Sequence, residues 1–381
     1  MRVLFVVSGL GLGGAEKQVV LLSREIVSRH HQVCIFTLNH RSARVGDLDN
    51  VPVQVILEQK RYAIDLRVLF RLRSIVKKWK PDVVHGFLFD GNIYSRLAAM
   101  GLQSLVLSSE RSDNYVLTVA QRLANRLTRS LVDGVVANTR AGADFASRTQ
   151  YIPTECCSVV WNGIDLSEVD ARMLAARQQT NTVAEQVWMG SGLRRLCVVG
   201  SIKPAKDYPL ALRVMRCLSD RDSSWRFICV GDKLFNATDE ERSRVLIDCE
   251  RLGLDRVVSF VGPRADALEM IGSSDVLLVT SRREGFPNVV LEGMACGTPV
   301  VSTDYSDVRQ ILPNRWQVAA SRDPEHLADI AERCIKEHDH VAASQRAWVE
   351  LNGTIAASAS TLLSIYDRHM RSVSQPQVHG G

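Results

Sequence analysis

Short apolar runs, each the length of a β-strand, alternate with amphipathic helical stretches along most of the chain. RVLFVV at residues 2–7 is followed by a helical pattern over about 15–29, and DVLLVTS at 275–281 precedes one over about 288–296. Parallel strands need long, usually helical connections, so this alternation is typical of a parallel sheet with helices on both faces. The sequence therefore predicts an α/β fold.

The alternation stops once and then restarts. A polar stretch over 166–192, which includes ARQQTNTVAEQ, precedes the strand-like run RRLCVVGS. With 381 residues, the chain has the length of two or three domains. We therefore predict two Rossmann-like domains, over 1–165 and 193–355, joined by a linker over 166–192. A C-terminal helix over about 356–372 is expected to pack back on the first domain.

The composition indicates the compartment in which the protein works. The longest apolar runs fall far short of the roughly 18 residues of a membrane-spanning helix. Met1 is followed at once by a strand and a glycine loop, not by a secretory signal. Nine cysteines form no CxxC pair, which is typical of a reducing compartment. We expect a cytoplasmic protein without disulfides.

Positive charge is concentrated in the first part of the chain. Residues 1–160 contain 21 Lys and Arg but 13 Asp and Glu, whereas the remaining residues contain 26 and 29. This asymmetry predicts that the amino-terminal domain faces an anionic partner. We expect no nucleic acid among the partners.

The segment 60–80 is the most basic part of that domain. Its apolar residues share one helical face, with basic residues around it. Two hypotheses stay open: a domain helix with a solvated basic side, or peripheral contact with anionic lipid on the inner face of the cytoplasmic membrane. The apolar residues of the predicted face are Ile64, Val68, Leu72, Ile75 and Trp79.

Immediately after the first strand, SGLGLGGAE places Gly9, Gly11 and Gly14 in a GxGxxG pattern that leads into a helix. Glycines let the backbone approach a phosphate, and the amides at a helix start favour an anion. A dinucleotide site also needs an acidic residue at the end of the second strand, where this chain has Asn39 and His40. Three hypotheses stay open: an NAD site, a turn without ligand, and a phosphate or sugar contact without a dinucleotide.

A second glycine-containing loop, VGSIKPAKDYP at 199–209, follows the first strand of the second domain. Lys203 and Lys206 lie close to a helix start at the carboxyl end of a strand, where open parallel sheets bind their ligands. Two cations beside helix-start amides would suit a diphosphate. The alternative is that both lysines are only solvated.

The stretch SRREGFPNVVLEGMACGTPVVSTD at 281–304 contains two carboxylates around one helix start. Glu284 precedes a turn that begins at Gly285, and Glu292 lies about one turn inside the helix. Carboxylates in such positions can each accept hydrogen bonds from a pair of hydroxyls, as on a sugar ring or a ribose. Helix capping by Glu284 and a solvated face for Glu292 form the alternative explanation.

The run EGFPNVVLEGMACGTPVV at 284–301 fits the E-x7-E element of the retaining glycosyltransferases of family 4 nearly residue for residue. Over almost its whole length the chain resembles this family. The resemblance implies the GT-B fold, in which two Rossmann-like domains face each other across a cleft. Six shorter tags follow the family's order and spacing: GGAE after the first strand, KPDVVH at 80–85, NGID at 162–165, VGSIKPAK at 199–206, VGD at 230–232 and FVG at 260–262.

The resemblance also implies a reaction. A hexose or an N-acetylhexosamine passes from a nucleotide diphosphate sugar, UDP-sugar favoured over GDP-sugar, to a hydroxyl acceptor with retention of anomeric configuration. The implied acceptor is a saccharide, lipid-linked or part of a growing surface polysaccharide or lipopolysaccharide. No residue stands out as a nucleophile, so front-face substitution is favoured over a covalent intermediate. We expect neither a cofactor nor a metal, since the two DxD matches, at 47–49 and 220–222, are typical of surface turns.

Residue roles follow from the same resemblance. Glu284 would contact hydroxyls of the donor sugar, Glu292 the ribose and Lys206 the diphosphate. The candidate catalytic residues are Glu284, Lys206 and His85, and His85 would also contact the donor sugar. The other implied donor-binding residues are Gly13, Gly14, Ser201, Lys203, Gly231, Val261, Gly262, Arg264, Gly285, Phe286, Pro287, Asn288 and Val289.

Two positions depart from the family's pattern. Ser201 stands where the family often has Arg, so we expect Lys203 to supply the charge. Phe87 stands where a second His is frequent, which leaves His85 as the single histidine of its loop. A purely structural, hydrogen-bonding role for His85 therefore stays open.

Other classes of protein would use a similar fold. A non-catalytic module that binds a nucleotide sugar is the main alternative, and the presence of Glu284, Glu292 and Lys206 argues against it. An NAD-dependent oxidoreductase is a further alternative, raised by the first glycine loop alone. A phosphorylase of the same fold would need a cofactor-binding lysine signature, which we do not find.

Overall fold

The chain folds into two compact units, each built on its own parallel sheet. Unit 1 comprises Met1–Gly163 together with the residues from Ile355 onward, and unit 2 comprises Ile164–Thr354. The predicted fold class, two parallel-sheet α/β domains, is confirmed. The computed structural model describes residues 1–11, 13–111, 116–178, 192–232 and 239–374.

Unit 1 is centred on seven parallel strands: β1 (Arg2–Val7), β2 (Gln32–Thr37), β3 (Val53–Leu57), β4 (Val83–Phe87), β5 (Leu105–Glu110), β6 (Gly134–Ala137) and β7 (Cys157–Val159). Their order across the sheet is β3-β2-β1-β4-β5-β6-β7. β1 therefore has β2 on one side and β4 on the other, and Val3 pairs with both Val33 and Val83.

Helices cover both faces of this sheet: α1 (Gly14–Ser28), α2 (Leu66–Trp79), α3 (Leu88–Ala99), α4 (Val119–Thr128), α5 (Arg140–Gln150) and the C-terminal helix (Ile355–Ser374). Phe5 of β1 packs in a core with α1 and the C-terminal helix, whereas Leu4 packs in a second core with α2 and α3. Neighbouring residues of a strand point to opposite faces. Because both faces are covered, RVLFVV is apolar without alternation.

Unit 2 is centred on six parallel strands: β8 (Arg194–Val199), β9 (Trp225–Val230), β10 (Val258–Gly262), β11 (Val276–Val279), β12 (Val300–Thr303) and β13 (Val318–Ala319). Their order is β10-β9-β8-β11-β12-β13. The chain leaves β8 toward β9 and later returns to its other side as β11, so the order reverses between β8 and β11. Parallel α/β sheets bind ligands beyond the carboxyl ends of the strands at such a point.

The helix expected over about 288–296 is found at Asn288–Cys296. Among the described residues of the whole chain, no helix is long and apolar enough to cross a bilayer. The helices are α6 (Leu166–Gln178), α7 (Tyr208–Arg221), α8 (Asp239–Arg251), α9 (Ala267–Gly272), α10 (Asn288–Cys296), α11 (Val308–Ile311), α12 (Pro324–Lys336) and α13 (His338–Trp348).

The structure differs from expectation in the polar stretch over 166–192. Its first part is α6, which belongs to unit 2 and forms ion pairs with two other helices of that unit. Arg172 binds both carboxylate oxygens of Glu269, at 2.8 and 2.5 Å, and Asp170 is paired with Arg346 at 2.7 Å. A helix anchored by charges has no apolar stripe to reveal it in the sequence. The expected linker over 179–191 lies outside the described residues.

Helix α3 approaches β1 very closely through a glycine. A Cβ atom on Gly91 would lie 2.3 Å from the carbonyl oxygen of Val6, a main-chain atom that cannot rotate away. The backbone of Gly91 also contacts Gly86 of β4, where a Cβ atom would lie 2.5 Å from the carbonyl oxygen of Gly91. The spacing between helix and sheet therefore depends on the absence of a side chain.

We expect Gly91→Ala to destabilise unit 1 by about 1–3 kcal/mol, since overpacking at a rigid contact forces the helix from the sheet. Gly46→Ala is the matched control, because its nearest neighbour would be a side-chain oxygen 3.8 Å away. Hydrogen exchange at the amides of β1 and β4 in the full chain measures the effect. Equal protection in the two variants would show that the close approach is not needed.

Candidate active site

The loop that leaves β8 carries two lysines at the switch point of unit 2. After Val199 the chain passes through Gly200 and makes a short 3-10 turn over Pro204–Lys206. The hydroxyl of Tyr208 donates a hydrogen bond to the carbonyl oxygen of Gly200, at 2.6 Å. Lys203 and Lys206 are therefore both held in one tight loop before α7.

The loop that leaves β11 is hydrogen-bonded directly to this first loop. The hydroxyl of Thr280 donates to the carbonyl oxygen of Lys206 at 2.9 Å, and the backbone N–H of Arg282 donates to the carbonyl oxygen of Ala205 at 2.7 Å. Two neighbouring strands thus end in loops that are joined through their backbones. Side chains from residues far apart in the sequence come together here.

The two loops bring Lys206 and Glu284 into contact. The ammonium of Lys206 lies 2.8 Å from Oε2 of Glu284, and the two side chains are only 13% and 15% exposed. The hydroxyl of Ser281 donates to the other carboxylate oxygen of Glu284. Because both oxygens are bound, the carboxylate has a fixed orientation.

The second lysine adds positive charge to this place. Burial lowers the pKa of Lys203, and repulsion from the Lys206 ammonium lowers it further, while the Glu284 carboxylate opposes the shift. Three charged groups therefore influence one another in a partly desolvated region, two positive and one negative. Such a region favours an additional anion, because an anion relieves the repulsion between the lysines.

A buried carboxylate, Asp207, supports both loops. It is 4% exposed, and its Oδ2 is paired with Arg282 at 2.8 Å and with Arg322 at 2.5 Å. Arg322 also donates to the carbonyl oxygen of Thr280 at 2.7 Å. Sequence reasoning missed Asp207 and Arg322; an Asp before a helix is a recognisable N-cap signal, whereas nothing in the sequence marks Arg322.

Helix α10 starts shortly after Glu284, the acidic member of the ion pair with Lys206. Phe286 and Val289 are buried and anchor the start of the helix, and the hydroxyl of Ser306 donates to the carbonyl oxygen of Gly285 at 2.5 Å. Glu292 is half-buried, about one turn inside α10. The residues expected to bind a donor, from Gly285 to Val289, thus form the turn between Glu284 and the body of the helix.

The ends of β8, β9 and β10 meet at a contact between glycines. Gly231 has a φ of +127°, and a Cβ atom on it would lie 2.2 Å from the carbonyl oxygen of Gly200. Its N–H donates to the carbonyl oxygen of Gly262 at 2.8 Å. The structure therefore brings Gly231 and Gly262 to the same sheet end as the lysine loop, with Ser201 beside Gly200.

Arg264 follows that strand end and is already engaged. Its guanidinium binds both carboxylate oxygens of Asp266, at 2.7 and 2.8 Å, and this hydrogen bonding lowers the pKa of Asp266. Val261, the other residue expected near a base, is half-buried in β10. Across the described residues, no three His, Cys, Asp or Glu side chains are grouped so that they could hold a metal ion.

In unit 1, the first glycine loop is bound to the loop after β2. Asn39, which stands where a dinucleotide site needs an acid, accepts a hydrogen bond from the backbone N–H of Arg41 at 3.0 Å. A Cβ atom on Gly9 would lie 2.1 Å from Oδ1 of Asn39. Gly13 caps α1 in an extended conformation, and Gly14 is the first helical residue. Asn39 therefore has a structural role in this loop.

His85 lies inside unit 1 with no exposed surface. Its Nδ1 is 2.7 Å from the hydroxyl of Tyr366 in the C-terminal helix, and its ring packs against Phe5 and Phe87. Nε2 has no hydrogen-bond partner among the described residues. A contact between His85 and a donor sugar would need a rearrangement, so this placement favours the structural alternative.

Comparisons with known proteins agree with this fold. Residues 12–168 match the family model described as Glycosyltransferase Family 4, and residues 194–337 match the model described as Glycosyl transferases group 1. Over 94% of its length the chain is 23% identical to a GDP-mannose-dependent alpha-(1-6)-phosphatidylinositol dimannoside mannosyltransferase from Mycobacterium tuberculosis, 97% of which is covered. Over 45% of its length it is 30% identical to a D-inositol 3-phosphate glycosyltransferase from Saccharomonospora viridis, 39% of which is covered.

Solved structures show the same architecture. A glycosyltransferase from Rickettsia africae superposes with a TM-score of 0.81 at 18% identity, covering 97% of this chain and 98% of that one. Anabaena HepE, solved in complex with UDP, superposes with a TM-score of 0.76 at 18% identity, covering 98% of this chain and 100% of that one. The chain is a glycosyltransferase with the GT-B fold.

The burial of His85 predicts a pH-dependent stability. Burial, and then the positive charge of Arg111, hold the pKa of folded His85 well below its ordinary 6.5. Below pH 6.5, His85 binds a proton in the unfolded chain but not in the folded chain. The free energy of unfolding therefore falls as the pH is lowered from 6.5, by at most about 1.4 kcal/mol for each pH unit. Urea unfolding of the full chain between pH 7.5 and 5 measures the loss.

His85→Asn should flatten this pH dependence, since an amide can keep the hydrogen bond to Tyr366 without titrating. His31→Gln serves as the control: the pKa of His31 is also lowered by burial, but that side chain is partly exposed. The explanation fails if the two variants flatten the pH dependence equally.

Proposed function

We propose that the chain is a retaining glycosyltransferase that moves a hexose or an N-acetylhexosamine from a nucleoside diphosphate sugar to a hydroxyl of a lipid-linked saccharide. The observation that carries the proposal is the 2.8 Å ion pair between Lys206 and Glu284 at the switch point of unit 2. It joins a cation suited to a diphosphate and a carboxylate suited to sugar hydroxyls. Lys203 adds a second cation, and Glu292, inside α10, would accept hydrogen bonds from the ribose.

The proposed chemistry is a front-face substitution. The bond between the anomeric carbon and the diphosphate oxygen breaks, and the diphosphate keeps the electron pair. The acceptor hydroxyl attacks the same face of the sugar, and its proton passes to the departing phosphate oxygen. Lys206 and Lys203 stabilise the charge that develops on the diphosphate, and they are most effective because Asp207 and the joined loops hold them in place beforehand.

Binding of the donor would change the partners of Lys206. In the structure its ammonium neutralises Glu284; with a diphosphate present it would share its charge between the phosphate and the carboxylate. Glu284 is then able to accept hydrogen bonds from sugar hydroxyls while Ser281 keeps its orientation. UDP-sugars are the favoured donors, and GDP-sugars are the first alternative, since the mycobacterial relative is named as GDP-mannose-dependent.

The acceptor is proposed from the character of unit 1. Two relatives are named for phosphatidylinositol-based acceptors, one mycobacterial and one from yeast.

The structure corrects the predicted apolar face of the segment 60–80: α2 begins only at Leu66, buries Val68, Leu72 and Val76, and leaves Ile64 exposed before the helix.

The exposed side of α2 nevertheless carries large apolar residues. Leu66 and Phe70 are each more than half exposed, and the exposed Arg67 and Arg71 lie between and beyond them. Apolar residues among arginines on a surface helix suit the boundary of an anionic bilayer. We therefore propose peripheral contact between α2 and anionic lipid.

Donor binding and turnover test the proposed site. Calorimetry with UDP, GDP and their common sugar conjugates, without added metal, should identify one tightly bound diphosphate nucleotide. Lys206→Met should lower kcat about 10²- to 10³-fold, as does loss of one pre-organised electrostatic contact in other enzymes. Glu284→Gln should chiefly weaken binding of the intact nucleotide sugar. Lys336→Met, an exposed lysine of unit 2, is the matched control.

Nuclear magnetic resonance of donor hydrolysis then tests retention, because the first sugar anomer released should have the donor's configuration. The absence of any nucleotide binding would overturn the proposed donor site. Tight binding without turnover in the presence of saccharide and lipid-linked acceptors would instead favour a non-catalytic binding module.

Flotation with vesicles of phosphatidylcholine and phosphatidylglycerol tests the membrane contact. The double variant Leu66→Ser and Phe70→Ser should lower the partition coefficient at least about tenfold, given about 1.5–3 kcal/mol for each large apolar side chain fully buried. Leu351→Ser, which changes an exposed leucine of unit 2, should leave flotation unchanged. Failure of the unaltered chain to float with anionic vesicles would refute the proposed contact.

A further inference from the structure

Unit 1 contains an apolar cavity that the donor site does not use. Its volume is about 320 Å³, within the range of small-ligand pockets. Its lining comes from α2 and the loop before it, from α3 and from α4. The α3 residues Phe89, Ile93 and Leu97 follow one another at intervals of four and therefore form one continuous apolar stripe along the cavity. Leu69 and Ala124 face this stripe from α2 and α4.

The polar side chains that line the cavity already have partners within unit 1. The hydroxyl of Tyr94 accepts a hydrogen bond from the backbone N–H of Asp65 at 2.7 Å. Thr118 and Gln121 form a reciprocal capping box at the start of α4, and Asp90 is paired with Lys60. A ligand would therefore meet apolar surface almost throughout, and a polar ligand would lose hydrogen bonds to water without replacement.

The cavity reaches the surface. Among its lining residues, Ile64, Thr118 and Ala120 are exposed. A cavity that is apolar inside and open outside can admit a hydrocarbon chain from an aggregate of lipids, whereas a sealed cavity could not.

The helix on one side of the opening is a second amphipathic surface that the sequence did not reveal. On α4, Val119, Leu123 and Leu127 are each more than half exposed and lie at intervals of four, on one face of the helix. Exposed Arg122 and Arg126 lie between them in the sequence. The α2 helix, across α3, has the same combination of exposed apolar residues and arginines.

We propose that this cavity binds a hydrocarbon chain of an anionic lipid, with the lipid phosphate met by the arginines of α2 and α4. The apolar lining selects the chain, and the arginines select an anionic headgroup over an uncharged one. This lipid could be the one that carries the acceptor saccharide, and only that part of the proposal rests on the proposed function.

Calorimetry of the full-length chain with dodecyl phosphate, below its micellar concentration, tests the cavity directly. Binding should be saturable with a negative heat-capacity change, the sign of apolar burial. Inorganic phosphate should show no saturable binding, and dodecyl maltoside, which has the same chain on an uncharged headgroup, should bind at least about tenfold more weakly.

Ala124→Phe should weaken dodecyl phosphate binding at least tenfold, because the new ring occupies the cavity. Ala343→Phe makes the same change at an exposed helical position of unit 2 and should have no effect. Ile93→Asn offers a second route, since it makes the α3 stripe polar without filling the cavity, and it keeps the test valid if Ala124→Phe does not fold.

Nucleotide binding of the same variants separates this proposal from the proposed function. Loss of dodecyl phosphate binding in Ala124→Phe and Ile93→Asn, with nucleotide binding intact, would support the cavity. Unchanged dodecyl phosphate binding in both variants, or equally tight binding of dodecyl maltoside, would overturn it and leave the transferase proposal standing. If the unaltered chain binds dodecyl phosphate but no nucleotide, the donor site fails and the cavity remains.

Discussion

The candidate active site depends on the buried carboxylate of Asp207. Arg282, from the loop after β11, and Arg322, from beyond β13, both bind it. A buried carboxylate without partners is strongly unfavourable, so this network holds the surrounding loops together. The contact between Lys206 and Glu284 follows from that arrangement, because the same network holds the backbones of the two loops. Electrostatic catalysis needs this kind of pre-organisation.

Unit 1 has a polar contact in its interior and large apolar side chains on its surface. Inside, His85 and Tyr366 form a buried hydrogen bond, which ties the C-terminal helix to the sheet. Outside, α2 and α4 expose large apolar side chains such as Phe70 and Leu127. Exposed apolar groups that recur along neighbouring helices mark a surface for interaction. The partners proposed for the two units are accordingly different: a charged, soluble donor for unit 2 and a lipid for unit 1.

Regular local patterns made most of the fold predictable. The start and end of α10 follow from the turn before Asn288 and from Gly297 after the helix, and the unbroken apolar strands follow from a sheet covered on both faces. The missed elements lack such patterns. In helix α6, Arg172 and Asp170 form ion pairs with distant residues. The apolar stripe on α4 faces solvent, but its sequence pattern is the same as that of a stripe buried in a core.

The sequence by itself determined the class of the protein: two parallel α/β units, glycine loops, two lysines and a glutamate in loops after strands, and a second glutamate in the helix that follows. These features are local, because each depends on the order of neighbouring residues. The tertiary structure alone decided which of those groups touch. Lys206 pairs with Glu284 only because β11 returns beside β8, and His85 is sealed by a helix that begins 270 residues later in the chain. Contacts between distant segments depend on strand order and packing, which no short stretch of sequence records.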